Sequence, residues 1–403
     1  MKDNYYFDNA ATTWPKPEAV YQFMDSFFRS HGVNPGRSGH TLAVEAEQMI
    51  FSTRRLLAQF FGFTGDPNRV VFTQNATDSL NMALNGILQA GDHLIISQMD
   101  HNAVLRPVNH MQRDGQIDVT SIQPTASGIV ELEKIESAIT NKTRIIVVNH
   151  ASNVIGTVQD LDSIAAFAKD RELLLVVDSA QSAGVLNIDM SVGIDVLTFT
   201  GHKGLFGPMG IGGMIVAEGV EISPTRFGGT GVDSISSFQP DSYPHRLEAG
   251  TVSIPGIAGL NAAQHWFSET GAAVSPRVDA KDHALCCKEA RNHIHRTEQK
   301  HADKIWQFLQ QHDRIIPMGE RVKGTDYVAT LSFTLKDMPA TQLAEMLDAD
   351  YHICLRAGLH CAPAVHDAFN TAEGGGAVRV SPGYFTEDDD VIHLLEAIEE
   401  VLG

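Results

Sequence analysis

Short apolar runs separated by polar, helix-periodic stretches dominate residues 70 to 217. The runs "RVVFT", "DHLIIS", "RIIVVNH", "LLLVVD", "DVLTFT" and "IGGMIVA" are rich in β-branched residues and nearly continuous in apolar character. That is the pattern of strands covered on both faces, and helical lengths between several of them suit crossover connections. The expectation is an α/β body with a largely parallel sheet between layers of helices. Upstream, apolar residues at 42, 46, 49, 50, 57, 60 and 61, followed by Gly62, predict one amphipathic helix with a C-terminal stop. Downstream, "GTVSIPGIAGL" is a Gly/Pro-punctuated switch into charged helical sequence, which sets a boundary near Pro255 to Leu260. Residues 13–258 are then a large domain. Residues 1–12 and 259–403 are a smaller α+β domain, with strands in "YVATLSFTL", "ICLRAG" and "AVRVSPG" and a loop at "EGGGAV".

Composition narrows the classes of function. The chain has 403 residues, 43% hydrophobic and 20% charged, which suits a folded protein with a sizeable core. A formal net charge of -19 disfavours nucleic acid and anionic lipid surfaces as partners. The amino-terminal stretch has no apolar segment behind basic residues, and no apolar run is long enough to span a bilayer, so the expected location is the cytoplasm. There the four cysteines, Cys286, Cys287, Cys354 and Cys361, are expected to be reduced thiols.

Ligands of open α/β sheets bind beyond the carboxyl ends of the strands. The residues that follow the predicted strands are polar and titratable. "TFTGHKGLFGP" sets Lys203 in a Gly-rich loop directly after a strand, where desolvation lowers an amine's pKa and prepares it to form an imine. "LLLVVDSAQSAG" ends a buried strand in Asp178, a carboxylate able to keep a pyridine nitrogen protonated, with Gln181 in reach of a phenolic oxygen. In "VVFTQNATDSL" a strand and tight turn lead into a helix whose Ala76 and Thr77 amides, with the Thr77 hydroxyl, form a phosphate seat. His101, after "DHLIISQMD", can lie flat against an aromatic ring. Each motif alone has a bland explanation as a loop lysine, a cap or a core histidine. Together they describe pyridoxal 5'-phosphate.

The stretches "YFDNAATTWPKP", "NPGRSGHTLA", "DHNAVLRP", "HASNVIGTVQD", "VVDSAQSAG", "TGHKGLFGP", "RLEAGTVSIPGIAGL", "LRAGLHCAP" and "AVRVSPGYF" occur in this order across nearly the whole chain. In them the sequence resembles the group II cysteine desulfurases and selenocysteine lyases, class V aminotransferase-like enzymes of fold type I. The resemblance implies a seven-stranded, mainly parallel sheet in the large domain. It also implies Lys203 as the Schiff-base lysine with Thr200 and His202 beside the phosphate, His101 stacked on the ring, Asp178 on the pyridine nitrogen, and Asn153 with Gln181 at the phenolic oxygen. Arg379 would clamp the substrate carboxylate, with Asn153 and Arg356 beside it. Thr251 would reach the phosphate bound by the other subunit, so a homodimer is implied. Cys361 would take sulfur from L-cysteine as a persulfide, release alanine, and pass the sulfur to an acceptor protein or thiol.

The chain departs from the family pattern in places. Asn75-Ala76-Thr77 stands where many relatives read Gly-Thr-Thr, which removes one phosphate donor; Leu359 stands where group II enzymes often carry His, and "NPGRSGH" is altered too. Selenocysteine lyase and class V aminotransferase are the competing activities, and a non-enzymatic partner that has kept the fold is the competing class. His283 and Cys287, four residues apart, share a helix face, but no compact ligand set accompanies them, so no metal is expected. Asp78 and Glu248 read as a cap and part of the solvated exterior.

Overall fold

The computed structural model describes residues 4–35, 39–232 and 235–403. Part of "NPGRSGH", residues 36–38, therefore lies outside the described residues. The first part of the chain runs β1 (Tyr5–Tyr6), α1 (Glu18–His31), α2 (Thr41–Phe60), β2 (Val70–Thr73), α3 (Ala76–Ile87), β3 (His93–Ser97), α4 (Asn102–Arg113) and β4 (Asp118–Ile122). It continues through α5 (Leu132–Ala138), β5 (Thr143–Asn149), α6 (Leu161–Asp170), β6 (Leu174–Asp178), β7 (Val196–Thr200) and β8 (Gly212–Val216). The remainder is α7 (Ile254–Val274), α8 (His283–Gln311), β9 (Ile315–Pro317), β10 (Leu331–Leu335), α9 (Ala340–Tyr351), β11 (Ile353–Cys354), β12 (Arg356–Gly358), α10 (Pro363–Ala368), β13 (Ala377–Val380) and α11 (Asp388–Leu402).

A seven-stranded sheet of order β2-β8-β7-β6-β5-β3-β4 forms the large body. Strands β7, β6, β5, β3 and β4 are parallel, and β8 runs antiparallel to both of its neighbours. All six apolar runs of the sequence are strands here. The seventh, β4, is an edge strand with the half-polar sequence DVTSI, so its hydrophobic signal is weak. Separate apolar clusters pack on the two faces of this sheet, one around Leu57, Phe199 and Leu260 and the other around Leu80, Val104 and Met214. Side chains alternate along a strand, so Val70 and Phe72 face one cluster while Val71 faces the other. The predicted amphipathic helix is α2, and Gly62 beyond it has φ +64.

An antiparallel sheet of order β12-β13-β10-β9 is the centre of the smaller body, and β1 pairs in parallel with β11. Phe7 packs there with Leu343, Val378 and Leu394. The change from one core to the other does not coincide with the Gly/Pro switch. Ile254, Ile257, Leu260 and Phe267 of α7 belong to the large core, as do Cys287 and Ile294 of α8, whereas Ala302, Ile305 and Leu309 belong to the small one. By packing, the passage lies within α8, well beyond residue 258. Glycine and proline mark where the backbone turns. They do not mark which core a helix serves.

Glu248 corrects a second expectation. It is buried, not part of a solvated exterior: its carboxylate takes a two-pronged pair from Arg54 at 2.7 and 2.8 Å and accepts the Phe72 amide at 2.7 Å. Asp78 is also largely buried, accepting the Gln74 amide and a guanidinium N–H of Arg226 at 3.1 Å. No described helix is long and apolar enough to cross a membrane.

Candidate active site

Side by side, β5, β6 and β7 place Asn149 opposite Asp178 and Asp178 opposite Thr198, so the strand-end residues of the sequence converge at one sheet edge. A cavity of about 310 Å³ there is lined by Ala76, Thr77, His101, Asn153, Asp178, Gln181, Thr200, His202, Lys203, Arg356, Cys361 and Arg379 among others. Of the candidate site residues, Thr251 alone is not among them. It borders a different cavity, beside Asn34, Arg54 and Gly229. A larger cavity of about 740 Å³ lies against α6, lined by carboxylates such as Asp160 and Asp162, and holds none of the candidate catalytic groups.

Two close backbone approaches assemble the floor. Gly184 has φ +92, and a Cβ there would sit 2.0 Å from the Gly204 carbonyl oxygen, so only glycine lets the loop after Asp178 lie against the loop of Lys203. A Cβ on Gly212 of β8 would stand 2.7 Å from the Asn75 Cα, so its absence admits the turn that starts α3. Asn75 caps α3 by accepting the Asp78 amide at 3.0 Å. The next amides, those of Ala76 and Thr77, head a helix whose positive end faces the cavity.

Lys203 is partly buried, and desolvation of its amine, with Arg379 next in weight, pulls it down to about 8 against the opposing pull of Asp178. Asp178 is buried and raised by desolvation, its Oδ1 accepting the Ala180 amide at 3.0 Å. His101 accepts the Ala103 amide at Nδ1, so its proton resides on Nε2, and burial, then the Lys203 charge, holds the ring neutral with a pKa of about 4. Gln181 donates to the Ala10 carbonyl at 3.0 Å, tying the strand-end loop to the amino-terminal segment. Arg379 is 1% exposed; it donates to Asp8 at 2.6 Å and to the Asn153 carbonyl at 3.1 Å, while its Nε has no partner among the described residues. The cation is thus pinned from behind by Asp8. Asn153 donates through Nδ2 to the His360 carbonyl at 2.7 Å.

Whether the cavity suits pyridoxal phosphate is tested by its orphaned polar atoms. Thr200 Oγ1, His202 Nδ1 and Asn153 Oδ1 are buried without partners among the described residues, a costly condition that a polar ligand relieves. With the α3 amides, they form the donor and acceptor set for an anionic, ring-bearing group beside a desolvated lysine and carboxylate. The residues fit.

One contributor escaped the sequence. Lys16 donates to the carbonyls of Thr13 and His202, both at 2.6 Å, and the His202 carbonyl also accepts from Thr12 Oγ1 and the Thr13 amide, so the peptide before Lys203 is held by the amino-terminal segment. The "PKP" run that carries Lys16 was the available signal. Asp100, buried, takes the Ser97 amide at 2.6 Å and turns the chain so that His101 follows at the rim. Arg356 Nη2 lies 3.9 Å from the Cys361 sulfur, and Cys361 is exposed at the mouth. His283 and Cys287 do meet, at 3.5 Å, but burial pushes the thiol up to about 12, and no third ligand joins them among the described residues.

Comparisons with known proteins agree with this architecture. The aminotransferase class-V family profile matches residues 5–394. A probable cysteine desulfurase of Methanothermobacter thermautotrophicus is 30% identical over 410 residues, spanning 100% of this chain and 96% of the relative. The apo structure of the cysteine desulfurase from Thermococcus onnurineus NA1 superposes with a TM-score of 0.87 at 27% identity, over 99% of this chain and 94% of that one. The Escherichia coli cysteine desulfurase CsdA, solved in an S-sulfonic acid form, gives 0.83 at 27% identity, over 99% and 95%. With the sheet order, the strand-end cavity and these full-length matches in hand, the chain belongs to the class-V aminotransferase family, among its cysteine desulfurases.

Proposed function

We propose that this protein is a pyridoxal-phosphate-dependent cysteine desulfurase that converts L-cysteine to L-alanine and holds the sulfur on Cys361 as a persulfide. The observation that supports it most is that Cys361, a thiol at the cavity mouth beside Arg356, borders the same cavity as Lys203, Asp178 and Arg379. A transaminase needs the last three and has no use for the first.

Lys203 would hold the cofactor covalently, Asp178 its ring nitrogen and His101 its face. The Ala76 and Thr77 amides, Thr200 and His202 would hold its phosphate, with Asn153 and Gln181 at its phenolic oxygen. Bound pyridoxal phosphate supplies an electron sink for the pair left when Cα loses its proton. Arg379, backed by Asp8, orients the substrate carboxylate, with Arg356 and Asn153 beside it. Lys203, its amine kept partly neutral near physiological pH by desolvation, takes the Cα proton. Cys361 as thiolate attacks the substrate Sγ; the S–S bond forms as Cβ–Sγ breaks, the bonding pair goes to Cβ, and a proton there completes alanine. L-cysteine and one thiol thus become alanine and one persulfide, with no external oxidant. The persulfide then passes to an acceptor protein or thiol in the cytoplasm. A homodimer, with Thr251 of each subunit serving the other's phosphate, completes the proposal; Thr251's position away from its own cavity is compatible with that.

The test is to incubate holoenzyme with L-cysteine without reductant, assay alanine, and locate added sulfur by peptide mass spectrometry. Alanine with one extra sulfur on Cys361, both lost in Cys361→Ser while the lysine-linked cofactor absorbance stays, is the expected result. Alanine production undiminished in Cys361→Ser would overturn the role of the thiol. Retained cofactor with no alanine would overturn the activity.

A further inference from the structure

The loop that carries Cys361 is in an unusual conformation. His360 has φ +51 and Cys361 φ +56, consecutive left-handed residues with side chains, a state that L residues enter rarely and that persists only where the surroundings hold it. Some of those holds are backbone: Asn153 grips the His360 carbonyl at 2.7 Å, and the Asn102 amide, next to His101, donates to the Cys361 carbonyl at 2.8 Å. A further hold is a line of side chains that begins at His360, which borders the cavity, and continues through His366 and Thr371, which do not. His360 Nδ1 meets His366 Nε2 at 3.3 Å, and His366 Nδ1 meets Thr371 Oγ1 at 2.8 Å. His360 is 3% exposed and His366 is fully buried.

Both nitrogens of His366 are engaged, Nε2 by His360 and Nδ1 by Thr371, so one proton serves each gap and the His366 ring is fixed from both sides. His366 sits on α10, directly after the cysteine loop. Thr371 begins the turn into β13: its amide donates to the His366 carbonyl at 2.8 Å, and its own carbonyl accepts the Gly376 amide at 3.0 Å. Gly376, with φ +98, lies so close to Gly358 that a Cβ would stand 2.2 Å from that residue's backbone. Gly376 is therefore packed against Gly358 of β12, the strand that leads to the cysteine. His360 and Thr371 thus close a ring of contacts around the Cys361 turn, and His366 is its middle link.

We propose that His366, through His360 and with Thr371, is a positioning residue for Cys361: the buried chain holds the left-handed turn that presents the thiol at the cavity mouth. It acts as a brace and not as a proton carrier, since burial keeps both imidazoles neutral, at about 2 for His360 and about 4 for His366. The inference rests on the proposed role of Cys361 for its consequence in sulfur transfer, but its structural content stands apart from it.

The experiment compares holoenzyme with His366→Ala, His366→Gln and Thr371→Val. Gln restores a side-chain amide able to bond the His360 ring, whereas Val removes only the hydroxyl. Backbone hydrogen exchange across residues 358–362 is expected to quicken at least about fivefold in His366→Ala and Thr371→Val and to return toward wild type in His366→Gln. Single-turnover transfer of sulfur to Cys361 at saturating L-cysteine should fall roughly tenfold to a hundredfold in the same two variants and recover in the third, with the lysine-linked cofactor absorbance unchanged throughout. Exchange and transfer like wild type in His366→Ala would overturn the proposal. So would a His366→Gln variant as impaired as His366→Ala, which would make the histidine a packing element only. If His366→Ala does not fold, Thr371→Val is judged by the same criteria. If the wild type itself transfers no sulfur, the desulfurase activity fails, and hydrogen exchange alone decides whether His366 braces the turn.

Discussion

Desolvation leaves a large share of Lys203 neutral near physiological pH, and the consequence is measurable without sulfur chemistry. An amine near pKa 8 is a proton acceptor only in its neutral form, so exchange of the Cα proton of L-alanine with solvent, followed by NMR on holoenzyme, should rise about tenfold per pH unit up to about 8 and then level off. Lys203→Ala should abolish it. Burial acts on stability with opposite sign at two other residues. His150, bonded to Ser182 and held near 3 by desolvation, stays neutral in the fold while the unfolded chain takes up a proton below 6.5. Its contribution is complete above that pH and is lost as pH falls toward 3, at up to about 1.4 kcal/mol per unit. Glu298, raised by burial to about 8, contributes fully below 4.5, and that contribution is lost as pH rises toward 8. Urea midpoints across pH 4 to 8 should therefore show His150→Gln losing the acid-side dependence and Glu298→Gln losing the alkaline one.

Elements are joined here by contacts that tolerate little change. Replacing Gly184 with Ala puts a Cβ at a left-handed position and into the Gly204 carbonyl, so the loops bearing Asp178 and Lys203 must part. A stability loss of roughly 1–3 kcal/mol together with weakened cofactor binding, read from a pyridoxal phosphate titration, is expected. At the β2 edge, Arg54 of α2 holds Glu248 of the segment leading into α7 with side chains only 5% and 7% exposed. Arg54→Met strands that carboxylate and should cost about 3–5 kcal/mol by chemical denaturation. The sequence read α2 well because its apolar spacing is local. It misread Glu248, since a carboxylate's burial depends on a partner 194 residues away.

At the scale of the whole molecule, Phe227, Ile235 and Phe238 stand 76%, 97% and 85% exposed on the chain segment whose residues 229–232 border the cavity of Thr251. A second copy of the chain is the proposed cover. Ile235→Asp combined with Phe238→Asp should shift sedimentation from dimer to monomer and weaken cofactor retention. Monomeric wild type at micromolar concentration would remove the role given to Thr251.

The alternation of apolar runs and helical stretches was enough to specify a doubly covered parallel sheet, and the polar residues after each run were enough to point to its ligand edge. Both follow from chain-local rules: strand pattern, helix period and the position of strand ends. Other features arise between segments distant in sequence. Asp8 meets Arg379, Lys16 meets the His202 carbonyl, and Asn153 meets the Cys361 loop across separations of 371, 186 and 207 residues. No periodicity encodes such pairs, because each partner is solvated separately in the unfolded chain and the attraction that offsets their desolvation exists only once the fold brings them together. Identity and order of the reactive side chains are local properties of the sequence, whereas the pinned arginine, the lowered lysine and the braced turn under Cys361 exist only when folding removes water from all of them together.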